Sequence, residues 1–107
     1  MDVKQYEIYW ISLDPTIGGE IKKTRPCVII SPDEMNYYLK TILIAPLTTT
    51  IRNIPFRIKL NLNGKLSMVM LDQIRAVDKS RFKNKVAEID KETIKKIKQT
   101  IHEMLVA

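Results

Sequence analysis

A single cysteine, Cys27, and a single histidine, His102, occur in the 107-residue chain. One cysteine excludes an internal disulfide and a cysteine-rich zinc site. One histidine excludes a ribonuclease built on two imidazoles and any histidine metal cluster within one chain. The 12 carboxylates show no metal-ligand spacing, so neither metal nor cofactor is expected. No apolar run approaches the roughly 18 residues of a membrane span. The start, Met-Asp-Val-Lys-Gln-Tyr-Glu, has neither the charged n-region nor the apolar run of a signal peptide. The expectation is a cytoplasmic protein with no membrane partner and no internal repeats or linkers.

What is present fits one folded domain spanning residues 1–107. Hydrophobic residues make up 45% and charged residues 28%, a globular composition rather than a disordered one. The 18 Lys and Arg outnumber the 12 Asp and Glu, leaving a formal charge of +6. The excess is regional. Residues 1–21 carry Lys4 against Asp2, Glu7, Asp14 and Glu20, a net of −3. Residues 22–85 carry 13 basic residues against Asp33, Glu34, Asp72 and Asp78, a net of +9. Such an excess suits a solvated surface or a polyanionic partner, nucleic acid first.

Patterning gives a mostly-β, α+β chain. Tyr6 to Leu13 is β-rich and partly alternating, and it ends at Asp14-Pro15. Residues 14–24 read as a loop, and residues 26–30 as a buried strand. Ser31-Pro32-Asp33-Glu34 has the form of a helix start, with Ser31 as N-cap and a short helix running to Leu39. Residues 41–47 form an apolar strand broken at Pro46, where a central ladder would lose a donor. Residues 56–62 alternate, with Arg57 and Lys59 outward, and Asn63-Gly64 is a two-residue hairpin signal. Leu66 to Leu71 returns as the partner strand, which Gln73 to Val77 extends. Asp78 caps a single turn, and residues 85–89 make a last strand. Asp90 caps a final helix with Ile94, Ile97, Ile101 and Leu105 on its apolar stripe and Glu92 supporting Lys96.

Three places bring reactive groups to strand ends. Glu20 and Arg25 flank Lys22-Lys23 in a glycine-containing loop. Arg25 there offers a planar, permanently charged fork suited to phosphate, and Glu20 can accept a proton or pair with Arg25. Thr48, Thr49 and Thr50 follow a strand, where hydroxyls hold a phosphate oxygen or satisfy loop backbone. Asp72, Gln73 and Arg75 place an acid, an amide and a base together, suited to catalysis or to Asp–Arg pairing. Tyr9, Trp10, Tyr37 and Tyr38 can stack bases or fill a core. His102 reads as a helix-surface residue and Cys27 as an inert core thiol. Without metal ions, phosphodiester cleavage favours RNA, whose own 2′-OH can attack the phosphorus.

Asp14-Pro-Thr-Ile-Gly-Gly-Glu20, then Arg25-Pro26, then Ala45-Pro-Leu-Thr-Thr49, then Leu71-Asp-Gln-Ile-Arg-Ala-Val-Asp-Lys-Ser-Arg81, resemble the successive blocks of the MazF/PemK/Kid toxins. Each block is weak alone, and the ordered set is specific. The resemblance implies a CcdB/PemK-like, SH3-like small barrel with a short helix after the second strand and a C-terminal helix. It implies a homodimeric, metal-independent endoribonuclease that cuts single-stranded RNA to 2′,3′-cyclic phosphate and 5′-OH ends. It also implies a cognate, MazE-like antitoxin that covers the active groove. By position, Arg25 and Thr48 match the catalytic residues of the MazF branch, and Glu20 matches its acid. Lys22, Lys23, Thr49, Arg52, Asp72, Gln73 and Arg75 are the expected substrate-binding residues. The Kid set is not kept: its His position is Gly19 and its Arg position Met70, leaving Asp72 alone. Either Glu20 or Arg25 is the general base.

Two other functions compete. A non-catalytic gyrase poison of the CcdB type relies on a Trp-Gly-Ile C-terminus, whereas this chain ends Leu105-Val106-Ala107. A basic module that only coats nucleic acid has no need for Glu20, Arg25 and Thr48 to converge.

Overall fold

The computed structural model describes residues 2–13 and 23–106. Among the described residues seven strands make one curled antiparallel sheet, a half-barrel: β1 (Glu7–Ser12), β2 (Thr24–Ile29), β3 (Thr41–Thr48), β4 (Arg57–Leu62), β5 (Lys65–Met70), β6 (Arg75–Asp78) and β7 (Phe82–Glu88). Two helices accompany it, α1 (Asp33–Tyr38) and α2 (Lys91–Leu105). The strand order is β4-β5-β3-β2-β1-β7, and β6 also pairs with β3. The expected mostly-β barrel-like fold with a short helix after the second strand and a C-terminal helix is what forms.

β3 is the hub, because it changes partners along its length. Ile44 faces Ile29 of β2 on one side and Arg75 of β6 on the other. Beyond it, Leu47 and Thr48 pair with Val69 and Met68 of β5. β5 and β6 therefore lie end to end along one edge of β3, separated by a 3₁₀ turn at Leu71–Gln73. Gln73 to Val77 does not extend β5, as the alternation suggested. The chain turns at Leu71, which is buried, and resumes at Arg75. Pro46 does not break β3 either. It pairs opposite Cys27 of β2, and along the other edge of β3 it falls between the residues paired with β6 and those paired with β5, so its missing N–H comes at that change of partner.

Strand alternation sorts side chains into two cores. Ile8, Val28, Ala45, Leu47, Leu60, Val69 and Leu71 bury under α2, whose Ile97 is fully enclosed and whose Ile94, Ile101 and Met104 pack beside it. Tyr9, Ile11, Cys27, Ile29, Ile42, Ile44, Val77 and Phe82 fill the other face. Tyr9 and Phe82 rings meet there at 5.5 Å. Leu105, assigned to the apolar stripe by spacing, is 72% exposed, and Met104 takes its place. The helix ends one residue further on, where nothing covers that position.

Local signals explain most boundaries. Asp90 caps α2 by accepting from Thr93 N–H at 3.2 Å, and its other oxygen accepts from the Thr93 hydroxyl at 2.6 Å. Asp78 likewise caps the turn Lys79–Arg81 through Ser80 N–H at 2.8 Å. Asn63 and Gly64 both have positive φ, 50° and 89°, as a type I′ hairpin requires. Ser31 is not the α1 cap. It is buried, its hydroxyl donates to Asn36 Oδ1 and accepts from Leu43 N–H, and Pro32 holds the cap position. Ser31 thus ties α1 to β3 rather than satisfying the helix end. Among the described residues no helix is long and apolar enough to cross a membrane.

The two helix positions make a direct comparison. Ile97→Ala should lower the stability measured by urea unfolding by about 2–5 kcal/mol, whereas Leu105→Ala should change it by no more than about 0.5 kcal/mol.

Candidate active site

The face that carries Tyr9, Ile11, Cys27, Ile29, Ile42 and Ile44 does not end with its apolar residues. Two steps further along each strand the same face presents Leu13 after β1, Arg25 on β2, and Pro46 and Thr48 on β3. These four line one cavity of about 340 Å³, together with Thr50, Arg52, Arg57, Met70 and Gln73. The site is the polar end of a core layer, so its floor is as fixed as the sheet below it.

Register sets the walls. Arg25 stands opposite Ile11, Thr48 opposite Met68, and Arg57 opposite Met70. The Arg57 guanidinium reaches Asp72 through two parallel contacts, Nε to Oδ1 and Nη2 to Oδ2, both 3.1 Å. Its hydrogen bond with Arg57 holds the Asp72 carboxyl below its ordinary range. Asp72 is therefore a weak base, and its role in this arrangement is to fix an arginine in the wall. No carboxylate among the described residues pairs with Arg25, whose charge is left to the cavity. The Thr48 hydroxyl accepts from Thr50 N–H at 3.1 Å, which leaves its own proton free to donate.

Cys27 lies beneath Arg25 on the same face. Burial pushes its thiol up to about 12, against the opposing pull of Arg25 and Arg75. The thiol stays protonated and is packing, not chemistry.

The expected residues divide accordingly. Arg25, Thr48, Arg52 and Gln73 meet in the cavity, and Asp72 braces its wall from behind. Thr49 does not join them. Alternation turns it to the opposite face, where it lines a separate recess with Trp10, Pro26 and Leu62. Arg75 stands opposite Ile44 on β6, outside the cavity lining. Lys23 is exposed just before β2. Glu20 and Lys22 lie outside the described residues. Thr50, read as one of three strand-end hydroxyls, also lines the cavity, whereas Arg57 was missed as a site residue. Alternation marked Arg57 as outward-facing, and its partner lies 15 residues away beyond a hairpin. Tyr37 and Tyr38 are exposed on α1 and are not among the residues that line this cavity. Among the described residues no three His, Cys, Asp or Glu side chains come together in a metal-holding group.

The half-barrel thus presents, at the end of its core face, a groove lined by Arg25, Thr48 and a braced Arg57. Family comparison makes this specific: residues 4–105 match the model described as the PemK-like, MazF-like toxin of type II toxin–antitoxin systems, and the chain belongs to that family. It is 28% identical to the endoribonuclease EndoA of Bacillus subtilis over 107 residues, 94% of this chain and 92% of that one. It is 30% identical to the endoribonuclease MazF of Staphylococcus saprophyticus over 105 residues, covering 92% and 88%. Among solved structures, a MazE–MazF complex (form II) from Deinococcus radiodurans superposes with a TM-score of 0.86 at 22% identity, covering 98% of this chain and 96% of that one.

The state of Cys27 is directly measurable. At pH 8 the native thiol should react with iodoacetamide at least about a thousandfold more slowly than free cysteine, given a thiol normally near pH 8.5. Denaturation should restore the ordinary rate. A fast native reaction would show an exposed or ionised thiol.

Proposed function

We propose that this chain is the toxin of a type II toxin–antitoxin pair and a metal-independent, sequence-specific endoribonuclease acting on single-stranded RNA. The observation that carries the reading is the convergence of Arg25 and Thr48 on one groove, with Arg25 unpaired by any carboxylate among the described residues. The relatives named endoribonucleases support the same activity.

The chemistry follows from the groups present. The 2′-oxygen of a ribose attacks its own 3′-phosphorus, the bond to the 5′-oxygen of the next nucleotide breaks, and that oxygen takes a proton from water. The products are a 2′,3′-cyclic phosphate and a 5′-OH. Negative charge gathers on the phosphorane oxygens, where the Arg25 guanidinium opposes it. The Thr48 hydroxyl donates to the same phosphate and fixes its orientation. Glu20, in the segment that precedes β2 in the sequence, takes the 2′-OH proton, because arginine is not deprotonated in proteins. Arg52, Arg57 and Gln73 hold the strand on either side. Lys22 and Lys23 add phosphate contacts ahead of β2.

The protein works as a homodimer in the cytoplasm, and a MazE-like antitoxin silences it by filling the groove. Solved complexes of MazE with MazF in the same fold support that partnership. An acidic segment suits a groove whose walls are arginines.

Incubation with mixed single-stranded RNA in excess EDTA, followed by mapping of new ends, tests the activity. Cyclic-phosphate ends at a repeated short sequence are expected. Arg25→Ala should cut at least about a hundredfold more slowly with an unchanged urea midpoint. No cleavage, cleavage only with Mg²⁺, or wild-type turnover in the variant would refute the proposal.

A further inference from the structure

A second and larger cavity, about 500 Å³, adjoins the first and shares Arg52 and Arg57 with it as a common wall. Its size falls within the range of small-ligand sites, about 300–1,000 Å³. Loop residues 52–55 form one side, β4 another, and Lys96 of α2 closes the far end. The loop is tied down at several points. Arg52 N–H donates to the Met68 sulfur at 3.3 Å, Ile54 N–H to the Arg52 carbonyl at 2.9 Å, and Arg57 N–H to the Ile54 carbonyl at 3.1 Å.

The chemistry of this cavity is of two kinds. Ile54, Pro55 and Met68 give it an apolar floor, and Arg52, Lys59 and Lys96 give it a cationic rim. None of those three cations lies within 4.0 Å of a carboxylate among the described residues. Glu92, spaced to support Lys96, forms no such pair. Arg57 differs, since Asp72 occupies two of its nitrogens and holds it still between the two cavities. Uncompensated cations around an apolar floor match a nucleotide, which carries a phosphate on one side and a flat base on the other.

We propose that this cavity is a subsite for the nucleotide adjoining the cleaved linkage, its phosphate held by Lys59 and Lys96 and its base resting on Ile54, Pro55 and Met68. The inference rests on the endoribonuclease reading and deepens it. The shared arginine wall makes the two cavities one continuous track, which a single strand follows without leaving the surface. RNA is favoured over a protein segment because the shared arginine wall leads directly to Arg25 and Thr48, where the cleaved phosphate lies in the proposed reaction.

Once the cut site is mapped, oligonucleotides truncated one nucleotide at a time from each end test the subsite. For the wild type, one added nucleotide on one side should raise kcat/KM about tenfold. In the double variant Lys59→Gln/Lys96→Gln the same addition should raise it less than about twofold. An unchanged length advantage in the variant overturns the subsite, as does the lack of any such step in the wild type. A variant whose length dependence is intact and whose inhibition by the antitoxin is weakened also overturns it and assigns the cavity to the protein partner. If the wild type cleaves no oligonucleotide of any length, the endoribonuclease reading itself fails, and the subsite with it.

Discussion

A single curled sheet has two faces, and here both must be buried over its centre while one of them opens at its end. That constraint organises the molecule. Strand alternation gives every second residue of β1, β2 and β3 to the core under α2 and the intervening ones to the core around Ile44. A register slip of one residue would exchange the two sets, so the apolar pattern that fixes the fold also fixes which side chains reach the groove. Arg25 and Thr48 are placed by the same parity as Cys27 and Pro46. Thr49 has the other parity and is sent to the far side.

β3 makes the arrangement possible by serving three partners. Residues near Ile44 are paired on both sides, and residues near Thr48 are handed to β5. The hand-over sets the β4–β5 hairpin alongside the end of β3, and Arg57 lines the same cavity as Arg25. Asp72 then falls at the turn between β5 and β6, within reach of Arg57. A long flexible cation becomes a fixed one, at the cost of a carboxylate that no longer serves as a base. In the proposed mechanism the acid that the chemistry needs comes from elsewhere in the sequence, from Glu20.

Much of this was legible in the residues. The strands at 6–13, 26–30 and 56–62, the Asn63-Gly64 turn and the Asp90-capped helix all follow from period, turn chemistry and capping, which are local. Arg25 and Thr48 were legible as candidates because both stand at strand ends within ordered family blocks. The misreadings were non-local. Pro46 looked like a break because a single strand shows no change of partner. Gln73 to Val77 looked like an extension because the buried turn at Leu71 is made of ordinary residues. Leu105 and Met104 are neighbouring helix residues that both fit the apolar spacing, and it is Met104 that packs on the core while Leu105 faces out. Arg57 looked like any outward-facing charge until the hairpin brought Asp72 to it.

The central claim is that Arg25 touches the phosphate at which the strand is cut. Stereopure phosphorothioates at the mapped linkage test it, since sulfur replaces one non-bridging oxygen at a time. The wild type should cleave one diastereomer at least about tenfold more slowly than the other, because a directed guanidinium hydrogen bond distinguishes the two positions. In Arg25→Lys, which keeps the charge and loses the fork, that preference should collapse. Equal cleavage of both diastereomers by the wild type, or an undiminished preference in the variant, would contradict the account.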